Sequence, residues 1–164
     1  ECDFHIFASP TIYPELTSIE ILNEALLLAF GNKHPLAAKE EIDLIDTKPY
    51  FYQCLPRQEN LYENLLFFCN KAGFEPNIGF YTEDSFTFFD GLVSSSLIAM
   101  VPEQTAFPAL AHDVVLRHIR NPECYRTVYL GYHSDRELTA DGQRFRAICI
   151  ALFKKLGAES SDHN

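Results

Sequence analysis

The fold is decided by residues 49–102, which read PYFYQCLPRQENLYENLLFFCNKAGFEPNIGFYTEDSFTFFDGLVSSSLIAMVP. Strand-like runs, rich in β-branched and aromatic residues, occupy 50–55, 77–82 and 97–101. Helical patterns separate them, and all the connections are short. The stretch therefore predicts a β-α-β-α-β unit, the signature of a parallel sheet with helical crossovers.

The two helices of this unit carry recognisable start and stop signals. The first is predicted over 61–72, with Asn60 as its N-cap, apolar residues on one face and Gly73 as its stop. The second is shorter, and Ser85 is predicted to cap it. Each helix starts after a strand, at the strand ends where parallel α/β proteins bind ligands.

Strand-rich sequence flanks this unit on both sides. The flanks can pair across it, so we predict an α/β fold with two Rossmann-like lobes joined by crossing hinge strands. Residues 1–47 and 112–157 form the first lobe, 48–111 the second, and 158–164 a disordered tail. The flanking elements are strands at 3–8, 24–30, 114–119 and 125–132 and a helix after Thr139.

The last helix is expected to bury one apolar face and to end at Gly157. The residues of this face are Phe145, Ile148, Cys149, Leu152, Phe153 and Leu156.

Composition excludes several classes of protein. The chain has 164 residues, 47% of them hydrophobic, and contains no apolar stretch of about 18 residues that could span a membrane. A formal charge of -10 repels a phosphate backbone, so the chain is not expected to bind nucleic acid by itself. The five cysteines are odd in number and lack a CxxC motif, which favours a reducing cytoplasm.

Short segments along the chain match the motifs of one family in order and spacing. Together, over residues 1–157, they resemble the effector-binding (regulatory) domain of LysR-type transcriptional regulators. The segments are ECDFHI at 1–6 (family GELDFAI), LLLAFGNKHPLA at 26–37 (EPLxLVxPxxHPLA), AGFEPNI at 72–78 (AGFxPxI), GLV at 91–93 with MVP at 100–102 (GLVAAGxGIALVP), and RF at 144–145 (QRFxxF).

This resemblance implies the periplasmic-binding-protein type 2 fold and a small-molecule effector held in the interlobe cleft. It also implies a homodimer or tetramer that controls transcription. The match begins midway through the family's first lobe, so we expect the helix-turn-helix domain, which contacts DNA, to be absent from this chain.

The segment that precedes the first helix of the β-α-β-α-β unit is the main candidate site. Arg57 can form a bidentate pair with a carboxylate, while the backbone amides near Asn60 and Leu61 cap the same anion. The alternative is a surface loop and an ordinary helix cap. The family resemblance favours ligand contact, because this segment faces the effector in the family.

Two further positions complete the predicted rim of the site. The resemblance implies that Ser9 and Pro10, which end the first strand, lie against the effector. Ser85 can add a hydroxyl from the start of the second helix. The alternatives are a strand-ending turn and a plain N-cap, respectively.

No catalytic motif is present, so we predict neither an enzyme nor a cofactor. The sequence lacks GxSxG, a P-loop, GxGxxG and HExxH, and its six histidines lack metal-ligand spacing. The alternative functions are a periplasmic-type solute-binding protein, which a signal peptide in the parent gene would reveal, and an enzyme on the same scaffold. Cys54 and Cys69 could form a redox pair, but packing is the favoured role.

Overall fold

The computed structural model describes residues 3–8, 13–55, 60–105 and 113–161. None of the helices in these ranges is both long and apolar enough to cross a membrane. The strands are β1 (His5–Phe7), β2 (Leu16–Gly31), β3 (Ile42–Asp43), β4 (Phe51–Cys54), β5 (Asn77–Tyr81), β6 (Ile98–Pro102), β7 (Val114–Asn121) and β8 (Tyr125–His133). The helices are α1 (Asn60–Lys71), α2 (Ser85–Ser94) and α3 (Ala140–Ser161), with short 3-10 helices at Pro35–Ala38, Leu44–Thr47 and Glu103–Thr105.

The chain divides into two compact units. Residues 1–24 and 126–164 form unit 1, and residues 25–125 form unit 2. Both divisions lie inside strands, because β2 and β8 each contribute residues to both units. The lobe boundaries predicted at 47/48 and 111/112 stay a prediction.

Unit 2 contains the β-α-β-α-β arrangement predicted from residues 49–102. Strand β4 pairs in parallel with both β5 and β6, and α1 and α2 connect successive strands. The carboxyl-terminal part of β2 pairs antiparallel with β6 on one side and β7 on the other. The prediction of parallel strands linked by helices is confirmed.

The buried part of β2 shows why residues 24–30 form a strand and not a short helix. Leu26, Leu28 and Phe30 pack in the same core as α1, whereas Leu27 and Ala29 pack in the core that contains α2. All five are at most 5% exposed. An alternation of period two places apolar side chains on both faces of the sheet, which only an extended chain can do. The predicted strand is confirmed and is longer than expected.

The end of α1 and the start of α2 test the capping predictions. Gly73 has a φ of 87°, the left-handed conformation that ends a helix, so the predicted stop is confirmed. The predicted cap at Ser85 is wrong, because Asp84 is the N-cap and its Oδ2 accepts a hydrogen bond from the Thr87 amide at 2.6 Å. Ser85 is the first helical residue, one position too late to cap.

Helix α3 differs from its prediction in length. It continues through Gly157 to Ser161, so the predicted stop is wrong and the predicted tail is helical over 158–161. Glycine costs about 1 kcal/mol in a helix relative to alanine, but it ends a helix only where the backbone takes a positive φ. Among the described glycines, Gly73 is the one with such a φ.

The predicted apolar face of α3 is only partly buried. Cys149 is 7% exposed and lies in the core of unit 1, where Phe153 packs against it. Phe145, Ile148 and Leu152, however, are 45%, 65% and 53% exposed. The prediction is therefore wrong for these residues, because helical periodicity identifies an apolar face but not what covers it.

Candidate functional site

The candidate site lies in unit 2, at the carboxyl end of β4. Strand β4 ends at Cys54, whose carbonyl accepts a hydrogen bond from the Thr82 amide just beyond the end of β5. After residues 56–59, α1 begins at Asn60. The predicted N-cap at Asn60 is wrong, because this residue already lies within the helix. The ends of two parallel strands and the start of a helix thus belong to one region, as the sequence pattern indicates.

A small cavity opens in this region and is called here the β4-edge cavity. Its volume is about 10 Å³, close to the minimum that holds one water molecule. A mostly apolar wall surrounds a single side-chain amide. The lining residues are Gln53, Cys54, Leu55, Leu61, Tyr62, Leu65, Phe88 and Met100.

Gln53 supplies the buried amide of this cavity. The side chain is 1% exposed, and its Nε2 donates a hydrogen bond to the Phe88 carbonyl of α2 at 2.9 Å. Its Oε1 is also buried, and it accepts no hydrogen bond from any described residue. A buried acceptor left without a donor costs about 1–3 kcal/mol.

Gly91 allows the Gln53 amide to occupy its position beside α2. A Cβ built on Gly91 would lie 2.6 Å from Gln53 Oε1 and 3.2 Å from its Nε2. Any larger residue here would therefore displace the amide. Gly91 belongs to the GLV segment that carries the family resemblance.

The cysteines near the cavity are protonated packing groups. Burial raises the pKa of the Cys54 thiol to about 12, and burial raises that of Cys69 to about 12 as well. Cys69 donates to the Tyr52 hydroxyl at 3.9 Å, and this hydroxyl lies 2.5 Å from Thr47 Oγ1. These contacts favour the packing role, since a redox-active cysteine needs a lowered pKa. In the described part of the chain, no three His, Cys, Asp or Glu side chains could hold a metal ion.

Only part of the predicted site lies within the described residues. Ser9, Pro10 and Arg57 fall outside them, and of Ser85 the structure describes the backbone alone. The Asn60 carbonyl accepts a hydrogen bond from Asn64 Nδ2 at 2.8 Å.

Among the predicted residues, Leu61 lines the β4-edge cavity. Sequence reasoning missed Gln53, although an amide inside the strand segment FYQC was a usable signal.

A second cavity lies in unit 1 and has a different character. Its volume is about 70 Å³, and it adjoins the first turn of α3. Carboxylates and a guanidinium share its wall, so its lining favours neither an anion nor a cation. The lining residues are Asp3, Phe4, His133, Arg136, Glu137, Leu138, Thr139 and Gly142.

Solved structures with the same fold define the class of the chain. The effector-binding domain of QuiR, in complex with shikimate, has a TM-score of 0.82 and 21% identity, covering 93% of this chain and 72% of that chain. The regulatory domain of CcmR from Synechocystis, in complex with 2-PG, has a TM-score of 0.82 and 15% identity, and the match covers 94% of this chain and 74% of that chain. The regulatory domain of MetR from N. meningitidis has a TM-score of 0.75 and 17% identity, and the match covers 91% of this chain and 70% of that chain. The chain thus has the mixed α/β fold of periplasmic-binding-protein type 2 domains.

A family model makes the assignment more specific. The LysR substrate binding domain matches residues 1–154, and the chain belongs to this family. The resemblance carried by the sequence motifs is therefore confirmed, as is the fold class.

Proposed function

We propose that the chain is the sensing domain of a LysR-type transcriptional regulator and that it binds a small anionic effector in the interlobe cleft. Its family membership supports the regulatory role. The complexes of QuiR with shikimate and of CcmR with 2-PG support a small-molecule effector. Shikimate is a carboxylate, which agrees with an anionic ligand. The domain holds its effector without converting it.

The observation that carries this proposal is the lining of the β4-edge cavity by residues from a strand end and a helix start. Gln53 belongs to β4, and Leu61 to the first turn of α1. The first N–H groups of a helix lack partners within the helix, and the helix dipole is positive there. A carboxylate outside the cavity mouth would face this end of α1, while an uncharged part of the effector enters the cavity.

The residues predicted from sequence complete the proposed site. Arg57 pairs with the effector carboxylate, and the backbone near Asn60 caps it. Ser9 and Pro10 contact the effector from the first strand, and Ser85 adds a hydroxyl to the rim.

Regulation follows from a shift in population. An effector that binds one arrangement of a homodimer or tetramer more tightly shifts the equilibrium towards that arrangement. Helix-turn-helix domains outside this sequence would then bind DNA differently in the cytoplasm. The formal charge of -10 suits a domain that does not contact DNA itself.

The proposal is tested by calorimetric titration of the 164-residue chain with small carboxylates, including shikimate. Arg57→Ala should weaken the acid that binds by about 1.5–3 kcal/mol, because a charge-assisted hydrogen bond is lost. The matched control is Arg144→Ala, on α3, whose side chain is 80% exposed and does not line the β4-edge cavity. Equal affinities for the wild type and Arg57→Ala would contradict the proposed carboxylate contact.

A further inference from the structure

We propose that Gln53 determines specificity by accepting a hydrogen bond from a hydroxyl group of the effector, which is therefore a hydroxylated small acid. This inference rests on the proposed function. It adds a chemical requirement that an anionic ligand alone does not impose.

The orientation of the Gln53 amide is fixed by its neighbour in α2. The Phe88 carbonyl lies 2.9 Å from Nε2 and can only accept a hydrogen bond. Exchanging the two ends of the amide would bring two acceptors together, so Nε2 must face Phe88. The buried Oε1 is then the end of the amide to which no described residue donates.

The cavity that Gln53 lines restricts what kind of donor can enter beside its side chain. A volume of about 10 Å³ admits a group the size of a water molecule and little more. None of the described lining residues is acidic, so a buried ammonium group would have no counter-ion among them. A hydroxyl fits both conditions, because it is small, uncharged and able to donate.

The surroundings of Gln53 make the hydroxyl preference strong. The other lining residues are apolar apart from Cys54 and Tyr62, and β4 and α2 hold the amide in place. A site built to pair with a hydroxyl rejects the analogue that lacks it, because its own polar group is then left unsatisfied.

The test compares matched pairs of acids on the 164-residue chain by calorimetry. The pairs are shikimate with cyclohex-1-enecarboxylate, and 3- and 4-hydroxycyclohexanecarboxylate with their methoxy counterparts. In the wild type, the hydroxylated member of at least one pair should bind about 10-fold to 100-fold more tightly. In Gln53→Met, which keeps the length of the side chain but removes the amide, this ratio should fall to about 1–3.

Two further variants separate recognition from structural support. Asn77 provides a matched control, because its Nδ2 also donates to a backbone carbonyl, that of Lys48, but it does not line the cavity. Asn77→Met should therefore keep the hydroxyl preference. Gly91→Ala should reduce it, because the new methyl group would occupy the position of the Gln53 amide. In ¹⁵N-labelled chain, hydroxylated acids should also shift the Gln53 side-chain amide signals.

The outcomes distinguish this inference from the proposed function. The inference is wrong if acids bind but the wild type shows no preference for the hydroxylated member of any pair. It is also wrong if Gln53→Met shows the same preference as the wild type, because Gln53 then has only a structural role. If no acid in the panel binds the folded wild type, the proposed anionic effector fails and the inference fails with it.

Discussion

Arg126→Met is expected to lower the stability of unit 1 substantially. Arg126 Nε and Nη2 lie 2.8 and 2.7 Å from Oε1 of Glu24. The side chains are 17% and 2% exposed, respectively, so water does not compensate for the loss of either partner. Removing one member of a buried ion pair costs about 3–5 kcal/mol, whereas a surface pair contributes at most about 1 kcal/mol.

The assay is thermal and urea unfolding followed by circular dichroism, with hydrogen exchange of the β8 amides as a local readout. For a chain of this size, each kcal/mol corresponds to about 2–4 °C in Tm, so a loss of about 6–20 °C is expected. The matched control is Arg144→Met, also in unit 1, where the arginine lies 3.6 Å from Asp141 and the two side chains are 80% and 93% exposed. This control should change stability by less than about 0.5 kcal/mol.

The double variant Glu24→Leu/Arg126→Met completes the test. It removes both charges of the pair, and an apolar pair of similar volume is often as stable as a buried ion pair. It should therefore be no less stable than either single variant. Two results would refute the reasoning: a loss below about 1 kcal/mol in Arg126→Met, or losses that add in the double variant as they do at independent sites.

Two more predictions concern stability. Asp84→Ala should lower the free energy of unfolding by about 1 kcal/mol in urea titrations, because the hydrogen bond to the Thr87 amide is lost; an equal loss in Ser85→Ala would contradict Asp84 as the cap. Burial lowers the pKa of His34 below 6.5, so the unfolded chain binds more protons and stability should fall as the pH drops below about 6.5. Urea midpoints between pH 5 and 8 should show a smaller slope in His34→Gln, and an unchanged slope would exclude His34 as its source.

The strands of unit 2 and the helices between them could be predicted from the sequence because their signals are local. Gly73 ends α1 through its own backbone conformation, and the apolar run at 24–30 alternates between the two faces of the sheet. The position of Leu61 beside the cavity followed from the general rule that parallel strands bind ligands at their carboxyl ends.

The remaining features depend on contacts between distant residues. Gln53 is a site candidate only because Phe88 occupies one end of its amide and nothing described occupies the other, which no local pattern reveals. The exposure of Ile148 likewise depends on what packs against α3. Choosing Asp84 over Ser85 as the cap required knowing where the first helical turn begins.

The division of unit 1 into two separate segments has a consequence for synthesis on the ribosome. Residues 25–125 emerge together, whereas β1 must wait for β8, its partner strand, to be translated. Closing a loop of about a hundred residues costs about 4 kcal/mol of chain entropy. Folding of unit 2 closes this loop first, because it brings the Leu26 amide within 2.8 Å of the Cys124 carbonyl, to which it donates a hydrogen bond. The two segments of unit 1 then start from neighbouring ends, so little further chain entropy is lost when β1 pairs with β8.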